Sequence, residues 1–234
     1  MTAAREVRGP SGAAIAVALL AYSLLTNLRE SRQGWYTVRN LGVGVGLVVG
    51  ARRRGVSWVE LGLGPSSAAR ALRLGLRAAA ATAAAVTIGA AVAARRPSGR
   101  RLLADRRATL DRRDLVWQTL VRVPVGTAAF EEVVFRGVLL GLAADRSGRR
   151  TGLLASSVAF GLWHIGPTLA ALRANGVTTG RAWACTSAVA VTTTAGLALG
   201  RLRFAGGHVA APWLVHWASN GTSLLAAAAW QRSR

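Results

Sequence analysis

Lysine is absent from the 234 residues, so all 30 basic side chains are arginines, and only nine residues are acidic. The resulting net charge of +21 and pI of about 12.0 would suit a nucleic-acid-binding protein. The arginines, however, lie between apolar blocks and do not follow one amphipathic face. This placement is typical of headgroup anchors and topology signals. It predicts a bilayer with anionic headgroups as a partner, and no nucleic acid.

Cysteine and long polar stretches are scarce as well. Cys185 is the single cysteine, which excludes an intrachain disulfide and a cysteine zinc cluster. Hydrophobic residues make up 52% of the chain, and the mean hydropathy is +0.34. These residues fall in blocks approaching the ~20 residues that cross about 30 Å of hydrocarbon. A soluble domain with an ordinary core is therefore excluded.

Seven blocks are candidate membrane helices. They run roughly over 12–28, 36–50, 75–94, 115–143, 151–172, 182–200 and 207–230. We predict an all-α, polytopic transmembrane bundle of about seven spans (six to eight). The first block follows two arginines as a secretory signal does. It is long for a signal and lacks a small-x-small cleavage site, so we expect a retained span.

The chain is expected to form a single integral membrane domain, 1–234, with multiple passes through a prokaryotic plasma membrane. Two basic loops, about 51–73 and 95–114, are predicted to lie at the interface, and the second could hold an amphipathic helix on anionic lipid. The alanine-rich third block should let helices approach closely. The basic residues divide evenly between the two sides, so the positive-inside rule assigns no orientation.

The fourth block contains the polar residues that matter most. Pro124 predicts a break or kink, which would make Val125 to Leu142 the embedded helix. Glu131 and Glu132 are the only acidic residues inside a predicted membrane helix. A charge at a helix centre costs about 2.5–3.5 kcal/mol on insertion scales, so this pair indicates a functional site with partners or water.

Helical spacing separates the two glutamates. Arg136 follows Glu132 by four residues, which predicts an ion pair on one face with a structural role. Glu131 lies about 100° further round the helix. Its carboxylate is left free to hold water or a metal ion.

Two histidines and one asparagine complete the candidate set: His164, His216 and, one turn after His216, Asn220. His208 is expected to be an interfacial residue only. A spare carboxylate, two imidazoles and an amide can activate one water and stabilise an oxyanion. Alternatively, Glu131, His164 and His216 form a His₂Glu zinc set. Metal use stays open between zinc and none, because no His-Glu-x-x-His motif is present.

Three segments resemble, in order and spacing, the motifs of the CPBP family. This family comprises CAAX proteases and bacteriocin-processing enzymes and is also called Abi. Glu131 to Arg136 fits EExxxR, Phe160 to His164 fits FxxxH, and His216 to Asn220 fits HxxxN. The Leu61-Gly62-Leu63 stretch also looks like the family. The resemblance covers roughly Pro124 to Ser223, within a motif-bearing core of about 115–230.

The resemblance implies a conical helical bundle with its active site within the membrane. It implies that Glu131 and His164 activate water, that His216 and Asn220 stabilise the tetrahedral intermediate, and that Glu132 and Arg136 support the site. The expected function is an intramembrane endopeptidase, a glutamic protease or a metalloprotease, acting on a membrane-associated protein or peptide. Specificity for prenylated CAAX tails is not carried over, because the composition looks prokaryotic.

Two other functions fit parts of the pattern. A non-catalytic protein of the same fold could act as a bacteriocin self-immunity factor or scaffold. A transporter could use the embedded carboxylates, but it would need a continuous polar path to both faces, and no inverted repeat is evident. Only the enzyme requires Glu131, His164 and His216 around one cavity.

Overall fold

The computed structural model describes residues 12–27 and 33–234, and every regular element in these ranges is helical. The α-helices are α1 (Gly12–Asn27), α2 (Gln33–Arg53), α3 (Ala68–Ala94), α4 (Pro97–Leu103), α5 (Arg112–Trp117), α6 (Leu140–Trp163), α7 (Ile165–Ala174), α8 (Arg181–Gly206) and α9 (Ala210–Arg232). Two π-helical segments, π1 (Gln118–Ala129) and π2 (Glu132–Leu139), join α5 to α6. Short 3₁₀ turns span Pro65–Ser67 and Arg106–Ala108.

The π segments lie at the centre of the bundle. π1 contacts α2, α5 and α9, and π2 contacts α1, α2, α6 and α8. The largest apolar cluster surrounds π2 and includes Phe130, Phe135, Phe160 and Trp163. Any polar side chain of π2 is therefore enclosed by helices distant in sequence.

Small residues allow the helices to approach closely, as the alanine-rich third block predicts. A Cβ added to Gly75 of α3 would lie 2.9 Å from the Cα of Ala211 in α9. A Cβ at Gly196 of α8 would lie 3.1 Å from the Cα of Ser157 in α6. Both contacts are between backbones, so a larger residue would push the helices apart.

Two of the described helices are long and apolar enough to cross a bilayer, Pro65–Ala94 and Arg181–Gly206. Ala14–Asn27 is a shorter apolar helix. The other predicted blocks are also helical, but polar residues interrupt them. The count of about seven spans stays a prediction.

Of the break or kink predicted at Pro124, the break is wrong, because the helix is continuous there. The chain is helical from residue 112 to 147, here called the central helix, and leaves helical geometry at Gly148, where φ is 81° and ψ is 161°. Pro124 lies inside π1, so the segment from Val125 to Leu142 is only part of a longer helix.

Hydrogen bonds from neighbouring helices explain why the helix continues. A proline lacks the N–H that an upstream carbonyl would accept, and π-type turns bond over i→i+5. Three outside donors bond to carbonyl oxygens of π1: Trp213 to Pro124 (2.8 Å), Trp217 to Thr119 (2.9 Å) and Asn40 to Gly126 (2.9 Å). These bonds satisfy carbonyl groups in the widened turns.

The fifth predicted block, 151–172, is divided by a break that its sequence did not lead us to expect. α6 ends at Trp163 and α7 begins at Ile165, with His164 between them. Pro167 cannot donate to the Trp163 carbonyl four residues earlier. Ser23 of α1 donates to that carbonyl instead, at 2.7 Å. The break leaves His164 at a helix junction.

The two predicted basic loops are partly helical. The region 95–114 contains α4 and a 3₁₀ turn, and α5 begins before it ends. Asp105 accepts from Asn175 at 3.0 Å, and Gln231 of α9 donates to the Asp105 carbonyl at 2.7 Å. Partial burial alone would raise the pKa of the Asp105 carboxyl, but hydrogen bonds from Arg107 and Asn175 lower it below its ordinary value.

The region 51–73 is shortened at both ends, because α2 extends to Arg53 and α3 begins at Ala68. Arg203 of α8 fastens the remaining loop by donating to the carbonyls of Val59 (3.0 Å) and Glu60 (3.1 Å). Gly62 has a φ of 66°, and a Cβ there would overlap the Arg203 guanidinium. Glycine is required at this turn for both reasons.

Candidate active site

The two glutamates lie where the central helix is widened. Glu131 immediately precedes π2 and Glu132 is its first residue. Both are buried, with 3% and 0% of their surface exposed. π-type turns are often found at functional sites because they redirect neighbouring side chains.

Glu132 is held by two charged or ionisable partners. Its Oε1 accepts from Arg136 Nη1 at 3.0 Å, which is the ion pair that the helical spacing predicts. The same Oε1 lies 2.8 Å from Nδ1 of His216 in α9. Since an ionised carboxylate only accepts, the hydrogen of that bond belongs to His216 Nδ1. The pair thus orients the imidazole as well as the helix.

Glu131 uses only one of its two oxygens. Its Oε1 accepts from the indole N–H of Trp163 at 3.0 Å. Its Oε2 is buried and has no hydrogen-bond partner in the described part of the chain. That oxygen lies 3.8 Å from Nε2 of His216, too far for a direct hydrogen bond. One acceptor site on Glu131 is therefore open, beside an imidazole nitrogen.

The charges around these residues are unequal. Glu131 and Glu132 supply two negative charges, and among the described residues the one arginine that pairs with either of them is Arg136, through Glu132. His216 touches both carboxylates, one through each ring nitrogen. A protonated imidazole at this position would make the buried cluster neutral, which low dielectric favours.

Phe160 connects the second histidine to this cluster. Its ring centroid lies 4.6 Å from that of His164 and 5.8 Å from that of His216, and the Arg136 guanidinium carbon stands 3.9 Å from it. His164 Nδ1 bonds to the Phe160 carbonyl at 2.7 Å, which orients the ring and leaves Nε2 unbonded in the described part of the chain. His164 is half-buried and lies within electrostatic range of Glu131.

Not every predicted residue joins the hydrogen-bonded cluster. Asn220 follows His216 by one turn and is half-buried, but no hydrogen bond links its amide to another described residue. His208 lies apart, just before α9, where its Nδ1 accepts from the backbone N–H of Ala210 at 3.0 Å. That His208 has no catalytic role stays a prediction.

Trp163 is the residue that sequence reasoning missed. It is 2% exposed and packs against Tyr22, Phe130 and Phe135, with ring centroids 5.7–6.0 Å away. Its indole N–H donates the hydrogen bond that holds Glu131 in place. Two features of the sequence point to this role. Trp163 directly precedes His164 inside the second motif, and a buried carboxylate needs a hydrogen-bond donor.

The predicted His₂Glu ligand set is not assembled. Within the described residues, no three His, Cys, Asp or Glu side chains form a group that could hold a metal ion. His216 Nδ1 is engaged by Glu132, and the Phe160 ring packs edge-on against both imidazoles. This donor arrangement does not fit a three-ligand zinc site.

A protein-family comparison can be set against this geometry. The sequence model of one family, described as type II CAAX prenyl endopeptidase Rce1-like, matches residues 113–222. Over this segment the chain is similar to that family. The match covers just under half of the chain and includes all six predicted site residues. The resemblance to the CPBP family is thereby confirmed.

The Rce1-like match bears on both location and activity. The family consists of membrane proteins and CAAX-type endopeptidases, which favours an enzyme over a non-catalytic immunity factor or scaffold. No curated protein and no solved structure matches the chain significantly.

Proposed function

We propose that this protein is an intramembrane endopeptidase that hydrolyses a peptide bond of a membrane-associated protein or peptide, with Glu131 as general base. The observation that carries the proposal is the buried, unpartnered Oε2 of Glu131, 3.8 Å from His216 Nε2. A buried acceptor without a donor is costly, and a water molecule is the donor that hydrolysis requires.

In the proposed reaction, Glu131 Oε2 and His164 Nε2 bind the attacking water. Glu131 removes one proton, the water oxygen bonds to the carbonyl carbon, and the carbonyl oxygen becomes an oxyanion. The carbon–nitrogen bond then breaks, and the leaving amine takes the proton from Glu131. The remaining acyl group leaves as a carboxylic acid.

His216 and Asn220 are assigned to the oxyanion. With His216 protonated, Nδ1–H donates to Glu132 while Nε2–H is free to donate to the developing charge. The Asn220 amide, which has no other bond in the described structure, is available to turn toward the same oxygen. Glu132 and Arg136 act on substrate only through His216, so they are positioning residues.

Trp163 is proposed to fix the direction of Glu131. Its N–H occupies Oε1, so Oε2 is the oxygen left for water. The surrounding aromatic rings hold the indole in place and exclude bulk solvent. A base whose orientation is fixed before substrate binds loses less entropy in the reaction.

The test is cleavage of membrane-inserted reporter peptides by the purified protein in liposomes, with products identified by mass spectrometry. Wild type should produce two fragments by hydrolysing one peptide bond of the reporter, and Glu131→Gln should produce no fragments. Retained cleavage in Glu131→Gln, or intact reporters with the wild type across a broad peptide set, would reject the proposal.

A further inference from the structure

Two arginines inside predicted membrane segments are not used by the candidate active site. Arg39 lies on α2 and Arg122 on π1. Their guanidinium carbons stand 5.5 and 4.5 Å from the centroid of one ring, that of Tyr36. In the described ranges neither arginine forms an ion pair with a carboxylate. Two positive charges thus share one aromatic ring, and no carboxylate of the described residues pairs with either of them.

Each arginine donates a hydrogen bond that holds it in place, but each also has an N–H group without an acceptor in the described structure. Arg39 Nε donates to the Tyr22 hydroxyl at 3.0 Å, and Arg122 Nη1 donates to Gln118 Oε1 at 2.9 Å. Arg39 Nη2 and Arg122 Nε are buried with no partner among the described residues. Stacking on Tyr36 occupies the faces of the guanidinium groups and leaves N–H groups at their edges. An oxyanion would satisfy these N–H groups and balance the two positive charges as well.

The neighbouring side chains place these arginines near the membrane interface. Trp35 precedes Arg39 by four residues and is 60% exposed, and Trp117 is the last residue before π1 and is 38% exposed. Exposed tryptophans mark the headgroup level. Val38, between Trp35 and Arg39, is also 60% exposed and offers an apolar surface beside the charges. Cations at headgroup level beside an exposed apolar surface are complementary to a phospholipid.

We propose that Arg39, Tyr36 and Arg122 form a binding site for the phosphate of an anionic phospholipid, in the groove between α2 and π1. Guanidinium groups bind phosphate oxygens through paired N–H donors. Both arginines keep part of their surface exposed, and a phosphate on the lipid side would contact those exposed edges, while Arg39 Nη2 and Arg122 Nε stay buried behind them. The acyl chains lie along the exposed face of α2.

The test uses the full chain in neutral detergent, titrated with phosphatidylglycerol, with bound lipid counted by native mass spectrometry. Each arginine near a lipid phosphate is worth about fivefold in affinity, so Arg39→Gln with Arg122→Gln should weaken binding about 30-fold. Arg39→Lys with Arg122→Lys keeps both charges but loses the paired donors, so it should bind more tightly than the glutamine variant and more weakly than wild type. This second variant guards against loss of the fold.

A charge-matched control is available outside the two basic loops. Arg146 and Arg150 of α6 are exposed, and Arg146→Gln with Arg150→Gln removes the same net charge. This control should bind phosphatidylglycerol as the wild type does. Phosphatidylcholine, which has no net charge, should bind wild type and variants alike.

Three results would contradict the proposed phospholipid site. The first is equal phosphatidylglycerol binding by wild type and the Arg39/Arg122 glutamine variant. The second is an equal loss in the Arg146/Arg150 control. The third is unchanged lipid binding with selective loss of a peptide bearing a free C-terminal carboxylate, because that assigns the arginines to substrate. No step requires hydrolysis, and Glu131→Gln should bind lipid normally, so the test is independent of the proposed function.

Discussion

The two adjacent glutamates offer a sharp test, because the same isosteric substitution should affect them differently. Glu131→Gln keeps an oxygen to accept from Trp163 and places its NH₂ where Oε2 had no partner. Folding should change by less than about 1 kcal/mol, since no existing hydrogen bond is lost. Cleavage should fall at least about a hundredfold, because an amide cannot accept the proton.

Glu132→Gln should instead destabilise the protein. Glu132 Oε1 receives the Arg136 guanidinium at 3.0 Å and His216 Nδ1 at 2.8 Å, and both Glu132 and Arg136 are almost fully buried. Removing the charge leaves Arg136 unneutralised in low dielectric, which costs about 3–5 kcal/mol. At about 2–4 °C per kcal/mol for a chain of this size, the thermal midpoint should fall by about 6–20 °C.

The assay compares the two variants in one detergent, by thermal unfolding and by reporter cleavage at a temperature where both are folded. The pair is its own control, since both changes remove one negative charge from neighbouring positions. Glu132→Gln with a normal midpoint would refute the structural role of the Glu132–Arg136 pair. Glu131→Gln with a lowered midpoint would show that its lost activity does not report on chemistry.

Four further outcomes are expected. His164→Ala should abolish reporter cleavage at normal membrane yield, because the side chain's one hydrogen bond within the described structure goes to the Phe160 carbonyl, one turn earlier in the chain. Trp163→Phe keeps the aromatic packing but removes the donor to the catalytic carboxylate, so kcat should fall about tenfold with KM unchanged; Trp217→Phe, which loses a bond to a backbone carbonyl, is the matched control. Gly62→Ala should lower the thermal midpoint more than Gly148→Ala, because both have positive φ but only the first would overlap a neighbouring side chain. Reporter cleavage should survive chelation and dialysis, since the described histidines and glutamates do not form a three-ligand metal site.

For each of these four predictions, a specific result would contradict it. Wild-type turnover in the His164 variant would remove that histidine from the reaction. An equal fall of kcat in both tryptophan variants would make the effect one of packing. Equal midpoints for the two glycine variants would mean that backbone conformation, and not contact, sets the cost. Activity lost on chelation and restored by zinc would make the protein a metalloprotease.

The spacing of residues along one helix explains which contacts of the site the sequence predicts. The Glu132–Arg136 ion pair follows from a separation of four residues in a helix, and the structure has it. The same rule separated Glu131 from that pair and left it an open oxygen. Such contacts depend on helical geometry alone, so they survive errors in predicted boundaries.

Contacts between residues on different helices cannot be predicted from the sequence in this way. Trp163 was overlooked as the donor to Glu131 because the two residues meet only when α6 folds back on the central helix. His216 was expected beside Glu131, yet its shortest contact is with Glu132. Which carboxylate an imidazole touches depends on helix rotation by less than one residue's turn, and apolar periodicity does not resolve that angle.

The amino-acid sequence by itself determined the helical class, the approximate blocks and the three motifs, because hydrophobicity and residue spacing act locally. Only the tertiary structure decided that Pro124 leaves the central helix unbroken and that the chain breaks at His164 instead. At Pro124, tryptophans from α9 supply donors to nearby carbonyls, and at His164, Ser23 supplies the donor that Pro167 lacks. Whether a proline ends a helix depends on donors brought by other helices, and those are present only after packing.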